Sequence, residues 1–567
     1  MNETSVAVRI GGEAGQGLAT IGQTLGLALA RCGYHLHVTQ VYESRIRGGH
    51  NTFDLRAGDR PARAPAESVD LLVALDAASF RHVPNLTDKA LICSDEALAA
   101  SAPSLPPGVR HLAVPATKLG GGKYLNTVLL GVAGALLGLD RETLAACLDR
   151  FLGKRPPAVQ AENRAALDRA CAWANEAGTD FARLPAPPLP AGSTIMVNGN
   201  EAIALGAMAG GLKFCSFYPM SPATSVPLTV AAAARRMGIV VEQAEDEIAA
   251  VNMALGASYA GAPAMTATSG GGLALMSEGI SLAGVAELPV VIVVAMRPGP
   301  ATGLPTRTEQ ADLDLVLHAG HGEFPRAILA PGTLEQCFDL SRRAFILAED
   351  HQVPVFVLTD QYQADSFRET APFDLDGPSV RLPGPSDDKQ YERYAITDSG
   401  ISPRLLPGAG KALVMADCHE HTPDGHISEN LALRPRMQKK RMDKLNGLIR
   451  EVIAPDFQGP DAADILLVCW GSTVGAAEEA AELLRLQGRS TAVCHFSQVW
   501  PLRPDDFLPR FRAAGRVIMV EGNYSGQMEK LIRLETGFSP HGHVRRYDGL
   551  PITAKYILDH LKEDRHA

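Results

Sequence analysis

Residues 6–31, VAVRIGGEAGQGLATIGQTLGLALAR, read in one pass as an apolar strand, a glycine-rich turn and an apolar helix. The alternation continues to about residue 155, where VAVRI, HLHVTQVY, DLLVAL, ALICS and RHLAV read as strands between helical patterns such as 18–31 and 126–139. This predicts a mostly parallel α/β sheet for a first domain over 1–183. At 184–193, LPAPPLPAGS breaks any period and reads as a linker. A second α/β pattern covers 194–375, with VVEQ, AMTATSG, PVVIVVAM, RAILA and VPVFVLTD as strands that end in the small-residue turns where α/β proteins place ligands. Residues 376–455 turn irregular and polar, a long connection that ends in one charged helix. A third α/β unit, 456–567, contains ILLVCWGSTVGAAEEAAELLRLQG. The fold class is α/β, in three doubly wound domains.

Composition narrows the function. With 53 Lys+Arg against 63 Asp+Glu and no basic run, the chain has no electrostatic footprint for nucleic acid or for an anionic membrane. Its longest apolar stretches, 128–139 and 288–296, fall short of the roughly 18–20 residues of a membrane span. The opening MNETSVAVRI carries no signal-peptide pattern, so the cytoplasm is the expected compartment. Nine cysteines are scattered, the closest pair being Cys147 and Cys171; this spacing does not suit an iron–sulfur cluster.

The first glycine turn, with Gly12, Gly15, Gln16 and Gly17, serves either as a tight structural turn or as a cradle of backbone N–H groups for a phosphate. Its G-x-x-G-x-G order, and the lack of an acid after the second strand, weaken an NAD reading. Tyr42 to Asn51, YESRIRGGHN, places Arg45 and Arg47 before two glycines, either as a solvated loop or as a holder of an anionic ligand. In the second domain, Phe217 to Ser225, FYPMSPATS, sets prolines around Ser221 and fixes its backbone. Glu245, Asp246 and Glu247 open a helix, where acids usually complement the dipole. Met296 to Arg307, MRPGPATGLPTR, offers Arg297 on a rigid loop suited to a carboxylate. Cys418, His419, Glu420, His421 and His426 are ligand types at short spacing.

Taken together, GGEAGQG, YESRIRGG, YPMSPATS, EDEIAA with TATSGGG, and RPGPATGLPTRTEQADL resemble the fused γ–α (KorA-type) chain of the 2-oxoacid:ferredoxin oxidoreductases, over nearly the whole length. The resemblance implies a γ domain, a pyrimidine-side thiamine diphosphate domain and a transketolase C-terminal-like domain. It places Glu247 at the cofactor's pyrimidine nitrogen and Pro219 against the ring. Ser221, Arg297 and Thr306 then meet the substrate, and Gly12, Gly15, Gln16, Gly17, Arg45 and Arg47 lie on the coenzyme A side. This chain has Met220-Ser221 where the family's loop usually carries Thr, which keeps a hydroxyl and loses a methyl. The family's similar His/Asp-rich loop holds no metal, so none is expected at Cys418–His426, and Gly471-Ser472-Thr473 is expected to be a structural turn. No G-D-G motif of the kind that holds magnesium and diphosphate occurs in the chain. The resemblance therefore implies a β subunit that supplies magnesium and a [4Fe–4S] cluster, with ferredoxin as acceptor and a dimer of heterodimers as the assembly. The expected reaction converts 2-oxoglutarate and coenzyme A to succinyl-CoA, or runs in reverse. Pyruvate, branched-chain or broad-range 2-oxoacids are the alternatives within the family, and a non-catalytic scaffolding chain is the alternative outside it.

Overall fold

The computed structural model describes residues 5–43, 49–181, 184–384 and 390–563. The chain divides into two units, Met1–Asn198 with Asp365–Phe373, and Gly199–Ala364 with Asp374–Ala567.

The first unit is built on one sheet in the strand order Arg110–Val114, Leu86–Asp95, Val69–Ala74, Ser5–Glu13, His50–Gly58, His35–Val41, Phe367–Thr370, Ile195–Asn198. The first four strands are parallel, but from Ser5–Glu13 onward each neighbouring pair is antiparallel. The expectation of a mostly parallel sheet therefore holds for half of it. The physical reason lies in the connection from His35–Val41 to His50–Gly58, which is too short for the dozen or more residues that a parallel crossover requires. The strand His50–Gly58, HNTFDLRAG, carries too many polar residues for its period to stand out in the sequence. Ile195–Asn198 and Phe367–Thr370, which the sequence reading groups with the second domain, complete this sheet. The half-buried carboxylate of Glu369 ties Phe367–Thr370 to His35–Val41, accepting from Leu36 N at 2.7 Å and bonding His35 Nδ1 at 2.6 Å. Helices Leu18–Cys32, Leu125–Leu137, Arg141–Leu152 and Pro157–Glu176 close the main core over Ile10, Val38 and Phe53.

The second unit holds two sheets. One runs Gln498–Trp500, Ala327–Leu329, Pro354–Asp360, Val290–Met296, Ala264–Thr268, Phe214–Phe217, Val240–Gln243, and is parallel except for its first strand. VVIVVAM and PVFVLTD are buried along their whole length, as central parallel strands are. The other sheet runs Asp456–Gln458, Thr491–Phe496, Ile465–Trp470, Arg516–Glu521, Gly542–Arg545. One apolar core spans both sheets, with Val294 and Leu358 from the first and Val468, Trp470 and Met519 from the second. No helix among the described residues is long and apolar enough to cross a membrane.

The irregular connection ends in the charged helix Arg434–Arg450, as its sequence suggests, but part of that charge is buried. Lys440 Nζ lies 2.7 and 2.8 Å from the two oxygens of Glu287, and Lys444 Nζ bonds both Glu287 Oε2 and Gln352 O. Arg393 donates to Glu287 O at 2.7 Å and to Gln352 Oε1 at 2.9 Å. Burial alone would push the Glu287 carboxyl up, but Lys444, Lys440 and Arg393 overcome it and hold it at about 2. Burial lowers Lys444 to about 7. Removing one partner of such a cluster strands the others. Glu287→Gln is therefore expected to cost about 3–5 kcal/mol, measured as a loss of stability in denaturant or thermal unfolding.

Candidate active site

The helix Glu247–Tyr259 starts where the edge strand Val240–Gln243 ends. Asp246 is its N-cap and accepts from Ala249 N at 2.7 Å, while Glu245 is exposed, so these two acids do the capping and surface work. Glu247 points inward instead. It is 3% exposed, and its Oε1 has no hydrogen-bond partner. An unpaired buried carboxylate oxygen carries a desolvation penalty of about 1–3 kcal/mol or more, and in a native fold it calls for an explanation.

The carboxylate rests on Gly270-Gly271-Gly272, which the sequence suggests as a glycine turn and which form the first turn of the helix Gly270–Leu275 after strand Ala264–Thr268. A Cβ placed on Gly272 would stand 2.7 Å from Glu247 Oε1 and 2.1 Å from Thr268 Oγ1, so only glycine fits. The loop after Met296 crosses the same turn, with Ala301 O 4.0 Å from the Cβ position of Gly271. At the loop's start, Arg297 Nη1 donates to the carbonyl oxygen of Ser221 at 2.6 Å. Asn200 anchors the Ser221 segment by donating to Pro222 O at 2.8 Å and to Ser225 Oγ at 2.7 Å. Pro219 and Ser221 are exposed, and Thr306 is half-buried further along the Arg297 loop.

The structure thus joins Ser221 to Arg297 directly, and brings Glu247 and the Arg297 loop onto one triglycine turn. The contact with Ser221 is made to its backbone oxygen, which leaves its hydroxyl available. Sequence reasoning missed Asn200 and the acids Glu309 and Asp312. The two acids stand inside the quoted TRTEQADL, where their charge beside Arg297 was the available signal. Burial pushes Asp312 up to about 6 against the pull of Arg297, and burial with Asp312's charge pushes Glu309 up to about 7. Burial lowers Arg297, opposed by Asp312.

In the first unit, Gly15 and Gly17 take φ of 98° and 79°, which explains glycine at both. Gly17 caps the helix Leu18–Cys32 with no side-chain bond, and the space beside Gly15 is open. Gln16 Oε1 accepts from Glu13 N at 2.9 Å and packs on Gly12, so the Gln16 side chain helps close the turn. Behind Gly11 lies a half-buried pair, His50 Nε2 and His82 Nε2 at 2.8 Å; burial lowers both imidazoles, His82 to about 4. Arg45 and Arg47 lie outside the described residues. Asp417, Cys418 and His419 present ligand atoms within 4.8 Å of one another on the surface, whereas His421 is buried on the Tyr394 ring and His426 bonds Asp424.

Comparison with known proteins agrees with this organisation. Residues 7–173 match the family model described as pyruvate ferredoxin/flavodoxin oxidoreductase, 205–440 the one described as pyruvate flavodoxin/ferredoxin oxidoreductase, thiamine diphosphate-binding, and 458–534 the transketolase C-terminal domain. Fold and site therefore define a three-part α/β chain of the thiamine diphosphate enzymes. The 2-oxoacid:ferredoxin oxidoreductase subunit alpha of Saccharolobus solfataricus is 31% identical over 98% of this chain and 96% of its own. The 2-oxoglutarate oxidoreductase subunit KorA of Mycobacterium tuberculosis is 27% identical, over 93% and 87%. A solved 2-oxoglutarate:ferredoxin oxidoreductase from Magnetococcus marinus, with 2-oxoglutarate, coenzyme A and succinyl-CoA bound, superposes with a TM-score of 0.92 at 32% identity, over 99% of both chains. The chain belongs to the 2-oxoacid:ferredoxin oxidoreductases, as a subunit of their alpha type.

The glycine constraint is directly testable. Gly272→Ala is expected to lose about 1–3 kcal/mol, because Thr268 and Glu247 must both shift; thermal unfolding reads the loss.

Proposed function

We propose that this chain supplies the pyrimidine-side half of an active site that oxidises 2-oxoglutarate with coenzyme A to succinyl-CoA and CO2, passing electrons singly to ferredoxin, or runs the reverse carboxylation. The observation that carries the reading is the buried, unpaired Oε1 of Glu247 resting on Gly272. Bound thiamine diphosphate supplies the carbon nucleophile that takes up a 2-oxoacid and the electron sink that lets it lose CO2. Glu247 Oε1 is the acceptor such a cofactor needs, holding a proton at the pyrimidine ring nitrogen from a site that water does not reach. Pro219 flanks the ring. Arg297, steadied by Ser221 O, faces the substrate carboxylate, with the hydroxyls of Ser221 and Thr306 beside it. The turn Gly12, Gly15, Gln16 and Gly17, with Arg45 and Arg47, is the coenzyme A side.

The other half belongs to a β subunit carrying G-D-G and a cysteine cluster, which hold magnesium and [4Fe–4S]. The helix that starts at Glu247 favours this arrangement. Ile248 and Met253 are exposed on its outward face, and Val240 is exposed on the adjoining edge strand. Apolar side chains bordering a site that lacks half its ligands suit a subunit interface. A dimer of such heterodimers in the cytoplasm, with ferredoxin as acceptor, completes the reading.

The test is co-expression with that β subunit, followed by viologen reduction with 2-oxoglutarate, pyruvate or 2-oxoisovalerate, each with and without coenzyme A. The expected result is coenzyme A-dependent reduction that needs both chains and is fastest with 2-oxoglutarate. No reduction by a stable, thiamine-loaded complex would overturn the reading in favour of a scaffolding chain. In the active complex, Glu247→Gln is expected to lose about 10²- to 10⁴-fold in turnover with little change in melting temperature. Arg297→Lys cannot hold Ser221 O and a carboxylate in one planar geometry, so KM for the 2-oxoacid is expected to rise about tenfold or more, with a smaller change in kcat.

A further inference from the structure

Two acids have no role in the chemistry described above: Asp312, whose charge acts on Arg297, and Glu309, whose carboxyl feels the charge of Asp312. The carboxylate of Asp312 rests on Gly270, with both oxygens 2.4–2.5 Å from the position a Cβ would take on that glycine. The triglycine turn thus carries Glu247 at one end and Asp312 at the other, with the Arg297 loop crossing between them. Asp312 begins the short helix Leu313–Leu317, yet its side chain makes no capping bond there. Glu309 stands three residues earlier on the same segment. Charged groups face this pair from each neighbouring element: Arg297 from the loop, Glu247 across the triglycine turn, and Asp360 with Arg546 around the small cavity that Glu309 lines. Further along, Lys530 lies 3.9 Å from Asp314.

We propose that Asp312 and Glu309 form a proton-holding pair that adjusts the charge around Arg297, so that a 2-oxoacid carboxylate binds together with a proton. The proposal rests on the function argued above. With Asp312 ionised, much of the guanidinium charge is already neutralised, and an entering carboxylate adds a second negative charge to a partly buried site. Uptake of one proton from solvent by the pair removes that conflict. When the carboxylate leaves as neutral CO2 the proton returns to solvent, so the cycle balances. Asp312 acts through Arg297 and is a positioning residue.

The sign follows from the direction of the shifts. Both carboxyls titrate above their ordinary range, at about 6 and about 7. The pair is protonated below that window and ionised above it, while the 2-oxoacid is ionised throughout. KM for 2-oxoglutarate in the assembled holoenzyme is therefore expected to rise about five- to tenfold from about pH 5.5 to about pH 8.5, with a smaller change in kcat. Asp312→Asn is expected to flatten this rise, and KM at high pH falls towards the low-pH value. Glu309→Gln removes the member of the pair that titrates at the higher pH, about 7, and is expected to leave the rise at lower pH, near the Asp312 titration at about 6. Calorimetry of glutarate, which keeps both carboxylates but has no keto group to react, gives a second readout in phosphate and Tris buffers at neutral pH. Wild-type complex is expected to take up a proton on binding, and Asp312→Asn to take up none. Parallel KM–pH curves in wild type and Asp312→Asn, or equal enthalpies in the two buffers for wild type, overturn the proposal. If Asp312→Asn does not assemble, an unshifted curve in Glu309→Gln does the same. A complex with no 2-oxoacid-dependent reduction at any pH refutes the function itself, which is a separate outcome.

Discussion

The site depends on how closely its backbone approaches two carboxylates. Gly270 and Gly272 leave no room for a Cβ, because Asp312 and Glu247 occupy that space. This closeness does two things at once. It sets the two acids against one short turn at the end of a central parallel strand, and it keeps water from at least one oxygen of Glu247. In water such an oxygen would be solvated and weakly directed; on a glycine floor it keeps one orientation at the expense of stability, which is the usual sign of preorganisation.

That floor is rigid because its surroundings are. The strands Ala264–Thr268 and Val290–Met296 are buried on both faces, so neither the triglycine turn nor the Arg297 loop can move without disturbing the core. Further out, the cluster of Glu287 with Lys440, Lys444 and Arg393 ties the irregular connection to the end of the helix Ser277–Val285. A chain rich in proline and charge would otherwise be loose there. Buried charge is a weak source of net stability but a strong source of specificity, since a misplaced partner leaves an uncompensated ion. The cluster thus explains why so polar a segment adopts one path.

Much of this was legible in the sequence, and the limits have physical causes. Strand–turn–helix alternation marks the α/β class because burial imposes a period, and the apolar runs at 290–296 and 354–360 announce central strands. The antiparallel half of the first sheet was hidden, since HNTFDLRAG alternates too weakly and Phe367–Thr370 joins from more than three hundred residues away in the chain. At the site, Ser221 and Arg297 stood out because their loops combine proline, glycine and charge, whereas Glu247 was set apart from Glu245 and Asp246 only by the family resemblance. Asp312 and Glu309 stood in view within TRTEQADL without a reading of their own; only the fold shows that Asp312 lies on a glycine. Asn200 had no signal at all, because a single amide after a short strand has no pattern. The charged helix Arg434–Arg450 likewise reads as a solvated face until Glu287, more than 150 residues earlier, is found against Lys440.

A buried carboxylate without a partner is tolerable in a subunit only if something else lowers its energy in the working state. For the proposed half-site, that is a bound pyrimidine and the second chain that covers it. The same logic accounts for the exposed apolar side chains beside it: Ile248 and Met253 share their helix with Glu247, so the surface that would recruit the partner and the acid that would activate the cofactor move as one body. Binding of the partner then removes apolar surface from water beside a carboxylate that is already dry. Coupling assembly to activation in this way needs no moving part. It follows from placing the proposed acid in the first turn of a helix that exposes Ile248 and Met253.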